Sequence, residues 1–417
     1  MDIDPEDILV IATISARQVA ATVVVLQSPA GQSPAGKTPG DELSEQVVAH
    51  KSVPCTWHSA TGDERGQALA EAVRLAAESA GIEPYSIYLS CADASLSSRI
   101  AVGYAAPGEE IAFSVHERDW ALRRAREQAT GADREVLDVL PVQWTVRGPG
   151  GERDVPDPVG ERGTHLTCQA LLVTVKRGLR AEMAALAHGV GLELDHVIPQ
   201  PLALYRGAAG RLKIKGTTLV IDCGARHTTV LVRRKDRLVH AETFAFGGDI
   251  LTATMADQLG IPVAEAEKLK LQLDLACVPD PSAPQGQQMI WSDLREGDAL
   301  LAPATRICAD TLTNFFAARA RDLREHSHLG QAGQVHLVGR GAGMGGLVGF
   351  LRDIFALPVV LGTGDKGRQP GDELDGLLTT GLVCLAADHR REQKTLQSRT
   401  LRKRASGMWS WLNQTLA

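Results

Sequence analysis

Val220-Ile221-Asp222-Cys223-Gly224 sets a carboxylate at the end of an apolar run and follows it with a glycine turn. A strand that ends this way brings one anion and several backbone N–H groups to a phosphate and its Mg²⁺, with Asp222 as the candidate metal contact. Leu337-Val338-Gly339-Arg340-Gly341-Ala342-Gly343 ends a second apolar strand in a glycine-rich turn, where backbone without Cβ atoms lets a flat base such as adenine come close. Between them, Gly247-Gly248-Asp249 opens a helix, and Glu267 and Lys270 stand at E-x-x-K spacing on another. Taken singly, each turn asks for no more than positive φ, and a Glu–Lys pair at i,i+3 is common on solvated helices.

Strands and helices must position these groups. Ile8–Ile14 and Val19–Leu26 read as β-branched strands with a polar break at Ser15–Gln18, and Arg65–Gly81 as a helix that Gly81 stops. Ser86–Ser90 reads as a strand. A self-contained stretch follows, with strands at Ile100–Tyr104, Ile111–Val115 and Val136–Val146, a helix at His116–Thr130, and Pro/Gly clusters closing it. Thr164–Val175 is a strand and Arg177–Gly191 a helix. Thr217–Asp222 and Thr228–Arg233 are paired strands around the turn Cys223–His227. Helices at Gly247–Leu259, Val263–Leu275, Ala302–Ser327 and Gly346–Phe355 and a strand at Gln334–Val338 complete an α/β chain with parallel sheets. The pentapeptide QSPAG stands twice in succession within 27–42, and Pro279–Gln288 is rich in Pro and Gln; both read as solvated loops.

At 417 residues the chain holds more than one domain. Its 44% apolar and 23% charged residues exclude wholesale disorder, and a net charge of −6 argues against general nucleic-acid binding. Seven cysteines without a C-x-x-C pair make neither a disulfide framework nor a zinc site, which points to a reducing compartment. The acidic start is unlike a signal peptide, and no apolar run spans a bilayer, so the cytoplasm is the expected location.

In order, these motifs resemble the ATPase superfamily of actin, the heat-shock chaperones and the sugar kinases, and within it the FtsA family of bacterial division proteins. Three stretches carry the closer likeness: Val139–Trp144 through Asp157–Gly160, Gly191–Asp195 up to Gln200-Pro201-Leu202-Ala203, and Phe246–Asp249 with Ala264–Lys270. The resemblance implies an actin-like α/β fold of two lobes around a nucleotide cleft, with a small inserted α+β subdomain and a C-terminal amphipathic helix. Its expected parts are lobe 1 over 1–85 and 164–200, the insert over 86–163, and lobe 2 over 201–387 with a cap at about 262–335. A basic linker over 388–404 and a membrane helix over 405–417 follow. It implies ATP or ADP with Mg²⁺ held by Ser15, Asp222, Gly224, Arg226, His227, Gly247, Gly248, Asp249, Glu267, Lys270, Gly339, Arg340, Gly341 and Met344. Gln200 stands where a residue orients attacking water.

The departures bear on activity. The family's first turn reads Asp-Ile-Gly-Thr-Ser-Lys-Val; here it is Thr13-Ile14-Ser15-Ala16-Arg17-Gln18-Val19, with no carboxylate and no glycine. In the second turn Ala225 and Arg226 replace glycines and Thr229 replaces an aspartate. Nucleotide binding is therefore expected weak or lost, and the chain a degenerate ATPase. The implied partners are the C-terminal peptide of the tubulin-like FtsZ, further copies of the chain, anionic lipids and later division proteins. The implied site of action is the cytoplasmic face of the membrane at the division septum. A pilus adaptor like PilM and a sugar-kinase-like enzyme are the competing readings.

The end of the chain speaks for itself. From Arg390 to Arg404 seven basic residues meet one acid. Beyond them Leu401, Ala405, Met408, Leu412 and Leu416 form one helical stripe flanked by Trp409 and Trp411, with Arg399 and Lys403 opposite and Arg402 and Arg404 adding charge. That is the pattern of a helix lying in an anionic lipid interface.

Overall fold

The computed structural model describes residues 4–27, 44–57, 59–128, 131–211, 216–277, 300–326, 329–362 and 374–395. The QSPAG loop, the Pro279–Gln288 loop, and the tail carrying Arg399, Arg402, Lys403, Arg404, Met408, Trp409, Trp411, Leu412 and Leu416 lie outside the described residues. In chain order the strands are β1 (Ile8–Ile14), β2 (Gln18–Gln27), β3 (Ser44–Pro54), β4 (Ser86–Cys91), β5 (Ser97–Ala105), β6 (Ile111–Ala112), β7 (Arg134–Gly148), β8 (Gly151–Val155), β9 (Arg162–Gly163) and β10 (His165–Lys176). They continue as β11 (Glu193–Pro199), β12 (Thr217–Cys223), β13 (Thr228–Arg234), β14 (Arg237–Phe244), β15 (Ala332–Val338) and β16 (Val359–Leu361). The helices are α1 (Gly62–Ala80), α2 (Val115–Glu127), α3 (Leu179–Gly189), α4 (Gln200–Arg211), α5 (Gly248–Leu259), α6 (Val263–Lys270), α7 (Leu301–Glu325) and α8 (Leu347–Phe355). Residues 374–395 are also helical.

Contacts divide the chain into two compact units, residues 1–91, 181–207 and 379–417, and residues 92–180 and 208–378. The first unit holds a five-stranded sheet ordered β11-β4-β1-β2-β3. Its β1, β2 and β3 form an antiparallel meander, and β4 and β11 add in parallel beside β1. The second unit repeats that plan: β12, β13 and β14 form the meander, and β15 and β16 add in parallel beside β12. One sheet topology used twice is the two-lobed actin-like plan that the resemblance implies.

Local sequence explains each part. The run Val19–Leu26 is buried on both faces, so β2 is apolar without alternation. Helix α1 starts at a capping box of Thr61 and Glu64 and stops at Gly81, which takes the left-handed conformation. In the second unit Leu219, Ile221, Val230 and Val232 pack with Met255, Phe316, Leu351 and Phe355, each worth about 1.5–3 kcal/mol when fully buried. The inserted module wraps β5, β10, β7 and β8 around α2, with Phe113, Trp144, Leu166 and Leu172 in its core.

Several boundaries move. Ser86–Ser90, read as the insert's first strand, lies as β4 between β1 and β11 in the first unit's sheet. Thr164–Val175, read as part of lobe 1, is β10, which pairs with both β5 and β7 inside the module. The strand expected over Ile111–Val115 shortens to β6, because Ser114 caps α2 in a capping box with Glu117. The helix expected over Val263–Leu275 ends at Lys270. The basic linker expected from residue 388 is helical through residue 395: Arg390 is buried and bonds Asp195 at 2.7 Å, and Arg391 and Lys394 pair with Glu45 and Asp7. Beyond these shifts, β3, β8, β11, β14, α4 and helix 374–395 are elements that periodicity did not mark.

Candidate functional site

Asp222 stands at the second-to-last position of β12, opposite Thr229, with Cys223 opposite Thr228 before the chain turns. The Gly224 amide closes that turn on the His227 carbonyl at 2.9 Å. The start of α5 is laid directly against it: the Gly248 amide donates to Gly224 O at 3.1 Å and the Asp249 amide to Ala225 O at 2.7 Å. The next two amides, of Ile250 and Leu251, both turn back to Gly247 O. A helix start ordinarily offers its free amides to an anion; here those of Gly248, Asp249 and Ile250 are bonded within the protein. A Cβ on Gly247 would stand 2.4 Å from Ala225 O, so glycine at 247 serves this contact.

The third turn is built the same way. Gly339 has φ +92°, and a Cβ there would meet Asp222 Oδ1 at 2.3 Å and Cys223 O at 2.6 Å. On Gly341 it would meet Cys223 O at 2.9 Å. These two glycines let the turn lie on the end of β12. Gly343 alone faces open space, with nothing within 4 Å of a Cβ. Arg340 is exposed and reaches Asp375 at 3.4 Å, while Met344 closes the turn with its sulfur 4.0 Å from Cys308 Sγ. Asp222 Oδ1 is shut off from solvent and has no hydrogen-bond partner among the described residues. Burial, helped by the nearby charge of Asp375, pushes its carboxyl up to about 7. Arg226 is exposed; His227 beside it is held below its ordinary pKa by burial, against the pull of Asp93.

Glu267 and Lys270 form a bonded cluster with the first turn of α5. Lys270 Nζ donates to Glu267 Oε2 at 2.6 Å, Thr252 Oγ1 at 2.8 Å and Gly248 O at 3.1 Å. An ammonium has three protons, and all are used in pinning α6 to α5. The side chain is only 11% exposed, so this pair is no solvated surface bridge.

In the first unit, the position matching Asp222 is Thr13, second from the end of β1 and opposite Ala20. Ser15 completes its own hairpin: its hydroxyl donates to Gln18 O at 2.9 Å and accepts from the Gln18 amide at 3.1 Å. Gln200 opens α4, and its Nε2 donates to Ile14 O at 3.0 Å. Gln200 and the Ser15 turn are thus brought together, as a brace on the strand end.

These donors decide what the residues can hold. The exposed Arg226 guanidinium fits a phosphate contact. Lys270 and the Gly248 and Asp249 amides are committed to neighbouring backbone and side chains, while Asp222 Oδ1 is left unpartnered among the described residues. Among the described residues no group of three or more His, Cys, Asp and Glu is placed to hold a metal ion. Sequence reasoning missed Thr252, Asp375 and Asp93 at this site; a threonine four residues after Gly248 at the foot of a helix was the available signal for the first. No helix among the described residues is long and apolar enough to cross a membrane.

Two family models match the chain, "Cell division protein FtsA" over residues 219–379 and "SHS2 domain inserted in FTSA" over residues 96–174. The cell division protein FtsA of Streptococcus pneumoniae is 26% identical over 58% of this chain and 52% of its own length. That of Enterococcus hirae is 24% identical over 72% of this chain and 67% of its own length. The first match spans about half the length of that relative. Among solved structures, a PilM–PilN type IV pilus biogenesis complex aligns with a TM-score of 0.56 at 15% identity, over 90% of this chain and 98% of the other. That likeness speaks for the fold.

Proposed function

Because the chain belongs to the FtsA family of cell-division proteins, carrying both its main module and its inserted one, we propose that it works as a division scaffold and not as an ATPase. In this reading it ties FtsZ polymers to the cytoplasmic membrane, associates with further copies of itself, and offers the inserted module to later division proteins. Membrane contact comes from the amphipathic stripe of residues 405–417 and the cations before it. One observation supports the scaffold over the enzyme: several of the groups that would handle phosphate are spent on the fold. Thr13 stands where the repeated sheet has Asp222, and the leading amides of α5 and all three Lys270 protons serve neighbouring backbone and side chains. Loss of charge stabilisation at a transferring phosphoryl group removes the main catalytic contribution in this chemistry. Nucleotide binding is accordingly weak, and hydrolysis stays at background. The pilus-adaptor and kinase readings rest on likeness of fold, whereas the family models that match this chain are those of the division protein.

The test is reconstitution with purified FtsZ and anionic liposomes. The full chain should carry FtsZ into the liposome pellet, and a chain truncated after Gln397 should not. FtsZ that pellets equally with both would remove the tether, and ATP turnover on the kinase scale of about 1–100 s⁻¹ would remove the scaffold reading.

A further inference from the structure

Strand β5 is an edge for most of its length. On one side it pairs with β10 from Ser97 to Ala105; on the other it meets β14 only at Ser97, opposite Glu242. From Arg99 onward no strand covers that side among the described residues. One side chain does: Gln128, capping the end of α2, places its amide against the main chain of Val102, with Nε2 donating to Val102 O at 2.5 Å and Oε1 accepting from Val102 N at 3.4 Å. Those are the two bonds a neighbouring strand residue would make. They show that Val102, and by the two-residue period Ile100 and Tyr104, turn their main-chain polar groups outward.

The same three residues carry exposed apolar side chains, at 44%, 43% and 48% of full exposure for Ile100, Val102 and Tyr104, while Ala101, Gly103 and Ala105 face the module's core. Beside them, Arg124 lies over both the Tyr104 and Trp120 rings, at 5.3 and 5.6 Å, and Arg123 lies over Trp120 at 5.8 Å. Trp120 is itself 40% exposed. Trp, Tyr and Arg grouped at an accessible surface are the residue types that dominate binding energies.

We propose that the outer edge of β5 takes up an extended acidic peptide segment as an added strand, displacing Gln128 from Val102. Main-chain bonds to Ile100, Val102 and Tyr104 supply the pairing, and alternate peptide side chains meet the exposed apolar row. Arg99, Arg123 and Arg124 select acid over base. The charge also decides against a second copy of β5 in the same place, since two such edges would set guanidinium against guanidinium. An edge merely guarded against aggregation carries charge along its own exposed face; here that face is apolar and the charge stands beside it. The inference uses the same module as the proposed function but none of the family assignment, and its failure would leave the liposome result untouched.

The test uses the full chain and fluorescent peptides of about eight alternating residues, one of Glu and Val and one of Lys and Val, followed by anisotropy. The Glu–Val peptide should bind, and the Lys–Val peptide should bind at least about tenfold more weakly. Val102→Pro removes an outward N–H, a change strands tolerate at edges, and should weaken the acidic peptide by about tenfold or more. Arg123→Glu with Arg124→Glu should reverse the preference, and Gln128→Ala should tighten binding by freeing the edge. Circular dichroism of each variant confirms the fold. The proposal is overturned by no binding of the acidic peptide, by equal binding of both peptides, or by Gln128→Ala and the arginine variant leaving binding unchanged.

Discussion

Replacing Gly339 by alanine tests whether the glycines of the third turn serve the fold. With φ +92° and ψ 162°, residue 339 occupies a region that is essentially glycine-only, and forcing an L residue there costs about 1–3 kcal/mol. The new methyl would sit 2.3 Å from Asp222 Oδ1 and 2.6 Å from Cys223 O. Neither can retreat freely, because β12 is held between β13 and β15. Overpacking of this kind adds about 1–3 kcal/mol, so the expected loss is about 2–6 kcal/mol. Urea unfolding followed by far-ultraviolet circular dichroism should read it: with a slope of about 2 kcal/mol per molar, the midpoint falls by about 1–3 M. Gly343→Ala is the internal control, since its Cβ meets nothing within 4 Å, and should shift stability by less than about 0.5 kcal/mol. If Gly339→Ala cost less than about 1 kcal/mol, or Gly343→Ala cost as much, the structural account of this turn would be wrong.

Lys270→Met should lower stability by about 1–3 kcal/mol, as three hydrogen bonds to a largely buried ammonium are lost, measured by the same unfolding curves. Arg390→Met removes the partner of Asp195 and should cost about 3–5 kcal/mol, more than Arg74→Met on the exposed face of α1, which denaturation midpoints will rank. His389, stacked on His196 at 4.6 Å and near Tyr88, has its pKa lowered from 6.5 first by burial and then by Arg390, with Asp195 opposing. The unfolded chain then binds the proton first, so stability is present above pH 6.5 and is lost as pH falls below it. His389→Phe should flatten that loss in midpoints measured at acid and neutral pH.

What could be read in the sequence, and what could not, follows physical lines. Strands β1, β2, β12 and β13 and helix α1 declare themselves because apolar runs or periods coincide with clear stops. Strand β3, SEQVVAHKSVP, is an edge strand whose polar residues mask its pattern. Strand β11 ends at Pro199 and α4 carries Pro201 in its first turn, where proline is tolerated; as breakers, both prolines hid these elements. Arg390 looked like linker charge because no local pattern reveals that Asp195, far off in sequence, neutralises it. At the site, Asp222 and the glycines stood out by type and order. Their purpose did not: Gly339 and Gly341 make room for the Cys223 carbonyl, a contact between strands that sequence spacing does not express. Lys270 likewise reads as a surface cation until Thr252 and Gly248 are seen beside it.

The most direct test of the central claim is where the protein sits in growing cells. A fluorescent fusion of the full chain, imaged together with labelled FtsZ, should form a band at midcell that appears with the FtsZ ring and disperses when FtsZ is depleted. A fusion that stays diffuse, gathers at the poles, or keeps its position without FtsZ would contradict a division scaffold.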